Sequence, residues 1–235
     1  LQKRDNQVYR VIFEAEAIPS EVREAGFGGV NRYKDLEGYD NSELMVNSSR
    51  TMDKLYRRLY IQSKSYDEVF ELVKKKAELL ASIPAIQPIT KRPIARLASG
   101  FGYRIHPIYK TSIMHEGIDF SAPIGTEIYA TGNGIVAKTE YNGRGYGNNV
   151  IINHGFGYST LYGHMSRFAV RPGQKIKRGD VIGYVGNTGS STGPHVHYEV
   201  WKSGKKIDPI NFFFNDLTAE EYEKIREQAS QSNQS

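Results

Sequence analysis

The residues able to do chemistry are concentrated in one stretch of the chain. All six histidines, His106, His115, His154, His164, His195 and His197, fall between residues 91 and 215. Cysteine is absent, which excludes a disulfide scaffold, a thiolate zinc finger and a cysteine nucleophile, so any metal must be held by imidazole and carboxylate. His195 and His197 stand one residue apart in His195-Val196-His197-Tyr198-Glu199-Val200. On a strand both rings project from one face, whereas on a helix they diverge by about 200°. A co-facial pair serves metal binding or acid–base chemistry, or is simply structural. The run His115-Glu116-Gly117-Ile118-Asp119 reads in two ways. As H-E-x-x-D it needs a helix with Glu116 as base, and Gly117 beside the strand-like Ile118 and Phe120 argues against one. As H-x-G-x-D, the glycine lets imidazole and carboxylate converge on one ion. With one histidine of the H-x-H pair this makes two nitrogen ligands and one oxygen ligand, and the fourth position of a tetrahedral zinc stays open for water.

Glycine and charge show which elements must position these groups. Of 23 glycines, 19 lie between Lys91 and Asn215, against 4 in the first ninety residues. Residues 1–90 are charge-balanced, 91–215 carry an excess of eight positive charges, and 216–235 are acidic, for a net charge of +5 over 235 residues. We expect three regions: a helical arm with a linker over 1–90, the chemical domain over 91–215, and a short helix with a disordered tail over 216–235. The arm should hold one helix over about 41–82, in which Met45, Met52, Leu59, Tyr66, Val73 and Leu80 recur every seven residues while Gln62 and Lys76 interrupt the seam. It reads as a coiled-coil arm, a hairpin partner or an amphipathic helix packed on its own domain. Residues 8–40 suggest only short helices and loops, and Ser82–Pro93, with three prolines, an extended linker. In the tail, Thr218 with Glu221 forms a capping box for the last helix.

The chemical domain reads as antiparallel β structure. Short apolar or alternating runs at 127–131, 134–140, 148–153, 158–162, 181–185 and 195–201 are separated by glycine turns, including Gly155-Phe156-Gly157 and Ser203-Gly204. No alternation with long helices and no glycine-rich phosphate loop is present, so a doubly wound parallel sheet is disfavoured. The fold class expected is α+β, a mainly antiparallel β domain behind a long-helix arm.

In this order the motifs become specific. His115-x-Gly117-x-Asp119, then Tyr162-Gly163-His164-Met165, then Thr188-Gly189 through Thr192-Gly193-Pro194-His195-Val196-His197-Tyr198-Glu199 resemble the lysostaphin-type, or LytM-type, zinc metallopeptidases of bacterial cell walls. Ser99-Gly100-Phe101-Gly102-Tyr103-Arg104 with His106-Pro107, and Gly173-Gln174 through Lys177-Arg178-Gly179-Asp180 with Ile182-Gly183, resemble that family's other segments. Coverage is about 94–213. The resemblance implies one zinc ion held by His115, Asp119 and His197, with His164 and His195 as catalytic histidines assisting attack by a zinc-activated water. Tyr109, His106 and Arg104 are candidates to line the substrate cleft, Tyr109 as an oxyanion donor. Glu116, where many relatives have histidine, reads as a solvated rim carboxylate, and His154 as a structural histidine.

The function implied by this resemblance is that of a peptidoglycan endopeptidase of the bacterial envelope that cuts peptide cross-links, with the D-Ala to meso-diaminopimelate bond expected from the arm's envelope character. The competing expectation is a LytM-type module without catalysis, which binds cell wall or activates another hydrolase; all five site residues being present weighs against it. Basic charge without an arginine-rich stripe or nucleic-acid motif gives no reason to expect a nucleic-acid partner. No run approaches the roughly 18 apolar residues of a membrane helix. Leu1 is not an initiator methionine, which leaves room for an upstream membrane anchor, and the arm leaves room for a protein partner.

Overall fold

The computed structural model describes residues 1–24, 32–89, 96–105, 112–141, 143–213 and 217–232. They form two compact units, Leu1–Glu78 and Leu79–Ser235.

The first unit holds all but the last turn of a helix over Ser42–Ser82, which matches the sequence expectation closely. Short helical turns at Gln2–Ile12 and Ser20–Glu24 lie against it. The covered face carries Gln62, Ser65 and Val69, all buried. Arg23 donates to Gln62 Oε1 at 3.2 Å and to Asp5 Oδ2 at 2.6 Å, and Ser65 donates to the same Asp5 oxygen at 2.6 Å. Lys76 donates to the carbonyl of Ile12. The two polar interruptions of the heptad pattern are thus explained: Gln62 and Lys76 bond to residues 1–24, while Met45, Met52, Leu59, Tyr66 and Val73 are exposed.

The second unit is antiparallel throughout its named strand pairs. Its strands are β1 (Arg96–Ser99), β2 (Gly102–Ile105), β3 (Ser112–His115), β4 (Ile118–Ser121), β5 (Glu127–Tyr129), β6 (Gly134–Glu140), β7 (Asn149–Gly155), β8 (Tyr158–Gly163), β9 (Met165–Phe168), β10 (Lys175–Ile176), β11 (Val181–Val185), β12 (His195–Lys202) and β13 (Lys205–Ile207). The main sheet runs β1-β4-β12-β8-β7-β6-β10 with β13 on β12, beside a three-stranded sheet β5-β11-β9 and the ribbon β2-β3. Turn chemistry fixes the hairpins. Gly155, Phe156 and Gly157 all have positive φ between β7 and β8, as do Ser203 and Gly204 between β12 and β13.

Strand β12 shows how the sheet separates core from chemistry. Val196, Tyr198 and Val200 are fully buried in the hydrophobic core, each such side chain stabilising by roughly 1.5–3 kcal/mol. His195, His197 and Glu199 alternate onto the opposite face. Strand β4 does the same, with Ile118 and Phe120 in the core and Asp119 on the chemical face. A one-residue slip would put the histidines in the core, so the apolar residues fix the register of the polar ones.

The prolines of the 83–89 segment do not leave it free, for Ala85 and Ile89 are buried in this unit. Ala85 donates to the Thr131 carbonyl and Tyr129 to the Pro88 carbonyl. Residues 79–83 belong to this unit, and the Arg178 guanidinium donates to the carbonyls of Leu80 and Ala81 in the last helical turn and of Ile83 just after it. At the other terminus, Thr218 and Glu221 exchange the capping-box hydrogen bonds, and the helix Ala219–Ser232 buries Ile225 and Ala229.

His154, on β7, has a structural setting. Its Nδ1–H donates to the Asn133 carbonyl at 2.8 Å, and Nε2 accepts from the Thr160 hydroxyl at 2.8 Å. Burial pulls the imidazole down to about 4, reinforced by the nearby Arg178 charge and opposed by the carbonyl of Asn133. An unfolded histidine takes its proton near 6.5. Between these values the unfolded chain binds the extra proton, so stability is complete above about pH 6.5 and falls as pH drops toward 4, by about 3 kcal/mol from this residue. The expected result is that His154→Gln, which keeps one donor and one acceptor, flattens the fall in melting temperature between pH 7 and 4.5. Identical pH profiles for variant and parent would refute it.

Candidate metal centre

Residues His115, Asp119 and His197 come together at one end of the main sheet. Asp119 on β4 is the direct cross-strand partner of His197 on β12. His115 ends β3, and Gly117 carries the chain from it into β4. Gly117 is required by a close approach: a Cβ there would stand 2.5 Å from the Tyr198 carbonyl oxygen and 2.8 Å from the His197 ring. Both flanking segments are strands, so the helical H-E-x-x-D reading does not apply.

Three donor atoms face one another. His115 Nε2 lies 3.2 Å from His197 Nδ1 and 3.3 Å from Asp119 Oδ1, and His197 Nδ1 lies 2.8 Å from that oxygen. Donors held about 2.0–2.1 Å from a tetrahedral ion stand about 3.3 Å apart, so the triangle has the size such an ion needs. All three residues are buried.

The outward nitrogens decide which atoms are free. His115 Nδ1 donates to the Gly100 carbonyl at 2.6 Å, which leaves Nε2 as a lone pair aimed at the triangle. His197 Nε2 donates to Glu199 Oε1 at 3.1 Å, leaving Nδ1. Hydrogen bonds of this kind fix the tautomer and ring orientation of a metal ligand. Two lone pairs and a carboxylate oxygen directed at one point repel unless a cation joins them. The electrostatics show the same demand. In the metal-free chain protons stand in for that cation: burial raises the Asp119 carboxyl, yet hydrogen bonds from the inner nitrogens of His115 and His197 outweigh it and hold it far below the usual range. Burial likewise opposes charge on His197, but Asp119 and Glu199 on either side push the ring up to about 9. The donor set therefore fits a divalent cation that favours nitrogen and oxygen ligands in tetrahedral geometry.

His164 and His195 stand beside this triangle, their ring centroids 4.6 Å apart. His195 Nδ1 donates to the Gly193 carbonyl at 2.7 Å, and its Nε2 is 3.8 Å from Asp119 Oδ1. His164 Nδ1 donates to the Thr188 carbonyl at 2.7 Å. Burial lowers His164 to about 4, against that carbonyl, which favours the charged ring, so the ring is neutral with Nε2 free. Its backbone is strained, at φ +59°, a conformation costing a non-glycine residue of order 1 kcal/mol. The Tyr146 carbonyl holds it there, accepting from the His164 amide at 2.7 Å.

Other positions divide. Arg104 on β2 places Nη1 3.9 Å from Asp119 Oδ2 and donates to the Ser99 hydroxyl, so its guanidinium borders the centre. His106 and Tyr109 lie outside the described residues. Glu116 accepts from Lys206; it is an ion-paired rim carboxylate. Sequence reasoning does not single out Glu199, Tyr146 or Lys206. Glu199 is fully buried, and besides His197 it accepts from Tyr146 at 2.7 Å, Trp201 at 2.6 Å and Lys206 at 3.2 Å. Period-two spacing from His195 and His197 is the signal that could have marked it. Tyr146, reached only through the fold, also stacks on the His197 ring with centroids 5.5 Å apart.

Fold and donor set together define a class: an antiparallel β domain with a His/Asp/His metal site open beside two further histidines, as metal-dependent hydrolases are built. Residues 113–209 match peptidase family M23, so the chain contains a domain of that type. Over 116 residues, 49% of the chain, it is 47% identical to the DD-carboxypeptidase/endopeptidase Mpg of Neisseria meningitidis serogroup B and 46% identical to the peptidoglycan DD-endopeptidase ShyA of Vibrio cholerae. It spans about a quarter of the length of each, 26% and 27%. A solved zinc-containing peptidase from Vibrio cholerae is similar at 35% identity and TM-score 0.51, over 54% of this chain and 39% of that one.

Proposed function

We propose that the protein is a zinc metallo-endopeptidase hydrolysing peptide cross-links of bacterial peptidoglycan, with His115, Asp119 and His197 as ligands of one zinc ion and His164 and His195 as catalytic residues. The observation carrying this reading is that four histidines each donate one ring N–H to a fixed acceptor and present the other nitrogen to a single site. A zinc ion held there supplies Lewis acidity toward the scissile carbonyl and brings the pKa of water toward about 7. His164 and His195, free at Nε2, take up the proton of the attacking water and return one to the leaving amine. Arg104, positive at the edge of the centre, suits a substrate rich in carboxylates. His106 and Tyr109 belong to this proposal as cleft residues.

The D-Ala to meso-diaminopimelate bond is the proposed scissile bond, supported by the DD-endopeptidase names of the relatives, and the cell envelope is the proposed place of action. Among the described residues no helix is long and apolar enough to cross a membrane. The test is mass spectrometry of peptidoglycan digested by the full chain with zinc and with a chelator. Cross-linked dimers should convert to monomers with zinc only, and re-adding zinc should restore conversion. Conversion that ignores the chelator, or its absence under both conditions, would sink the reading.

A further inference from the structure

The C-terminal helix Ala219–Ser232 lies outside residues 113–209 and packs along β1. Its inner face seats Ile225 and Ala229, each 7% exposed, against the core. Ala229 meets the chain at Gly100. A Cβ at Gly100 would stand 2.6 Å from the Ala229 carbonyl oxygen and 2.9 Å from the Ala229 methyl, so helix and backbone approach as closely as a residue without a side chain allows. The carbonyl of the same Gly100 accepts the His115 Nδ1 proton at 2.6 Å. Ser99, just before it, is the strand partner of Asp119. The Ser99–Gly100 segment therefore stands between the helix and two of the three residues of the donor triangle.

We propose that the C-terminal helix is a positioning element of the metal centre: Ala229 seats the Gly100 carbonyl, and that carbonyl orients His115. This rests on the assignment of His115 as a ligand. The physical case is one of limited alternatives. Among the described residues, the other hydrogen-bonding neighbour of the His115 ring proton is the Ser99 hydroxyl at 3.5 Å, too long to replace the carbonyl. If Gly100 shifts, the ring loses its anchor, and Nε2 leaves the position that closes the triangle. Displacements well below 1 Å matter at such a site, and loss of an orienting hydrogen bond typically costs 10–100-fold in metal affinity.

Two variants press on the contact from opposite sides, Ala229→Leu from the helix and Gly100→Ala from the segment after β1. Each is compared with Ile176→Ala, a core truncation on β10 at the far edge of the sheet. On the full chain, zinc affinity is measured by chelator competition, the ligand field by the visible spectrum after cobalt substitution, and metal-free stability by thermal melting. Expected are a 10–100-fold weaker affinity and altered cobalt bands for both contact variants. Ile176→Ala should lower the melting temperature yet keep affinity and spectrum. Where leucine prevents folding, Ala229→Val applies a smaller push and is read the same way. Wild-type affinity and bands in folded contact variants overturn the proposal, as does an affinity loss that merely tracks melting temperature in all three. A parent chain that binds no zinc overturns the ligand assignment instead.

Discussion

Replacing His197 with alanine is expected to reduce zinc binding to below one ion per ten chains at micromolar metal and to lower cleavage of cross-linked muropeptides by about four orders of magnitude or more. Three protein ligands are already the minimum for a catalytic zinc site, so two leave an ion readily lost to solvent or chelator. The change also uncouples the support behind the ring. Glu199 loses its bond to His197 Nε2 but keeps Tyr146, Trp201 and Lys206 as donors, so the fold should survive. Asp119 keeps His115 at 3.3 Å and Arg104 at 3.9 Å. Metal content by elemental analysis, melting temperature and cleavage rate are measured on the same sample. A folded variant that retains stoichiometric zinc would remove His197 from the ligand set. One that retains the rate would remove the centre from the chemistry.

The parts of the fold legible in the sequence are those where local pattern and tertiary environment agree. The six apolar or alternating runs expected from 127 onward coincide with β5, β6, β7, β8, β11 and β12, because glycines border them, several at the positive φ a tight turn needs, as at Gly125, Gly147, Gly157, Gly179 and Gly204. The long helix is equally plain, since no glycine or proline interrupts it. Strands β1–β3 are not, being four-residue pieces, with β1 passing over the β2-β3 ribbon to pair with β4. Packing of Pro84–Ile89 is hidden because its prolines signal only what the backbone cannot do, not where it lies. At the centre, residue types and spacing mark the four histidines and Asp119, and the H-x-G-x-D glycine suggests a bend when its role is to admit the His197 ring. The groups that orient the rings are largely invisible. Gly100, Thr188 and Gly193 act through main-chain carbonyls, which every residue carries, and no sequence pattern distinguishes the ones that face an imidazole.

Those carbonyls separate two kinds of histidine, and the separation can be measured. Removing His164 or His195 by alanine substitution is expected to leave zinc stoichiometry at one and to lower kcat/KM by about 10²–10⁴-fold, the range of general acid–base catalysis. Neither ring completes the triangle: His195 Nε2 stands 3.8 Å from Asp119 Oδ1, beyond its closer contacts with His115 and His197, and His164 reaches His197 only ring to ring, with centroids 6.0 Å apart. Both are held by backbone acceptors independent of the metal, at Thr188 and Gly193, so losing one does not release the other. With centroids 4.6 Å apart, they serve one water and one leaving group, and groups acting as a unit are not additive. The double variant should therefore lose about as much as the worse single one, far less than the product of the two losses. Zinc loss in step with activity would make either residue a ligand. Strict multiplication of the two effects would mean that the histidines act in separate steps.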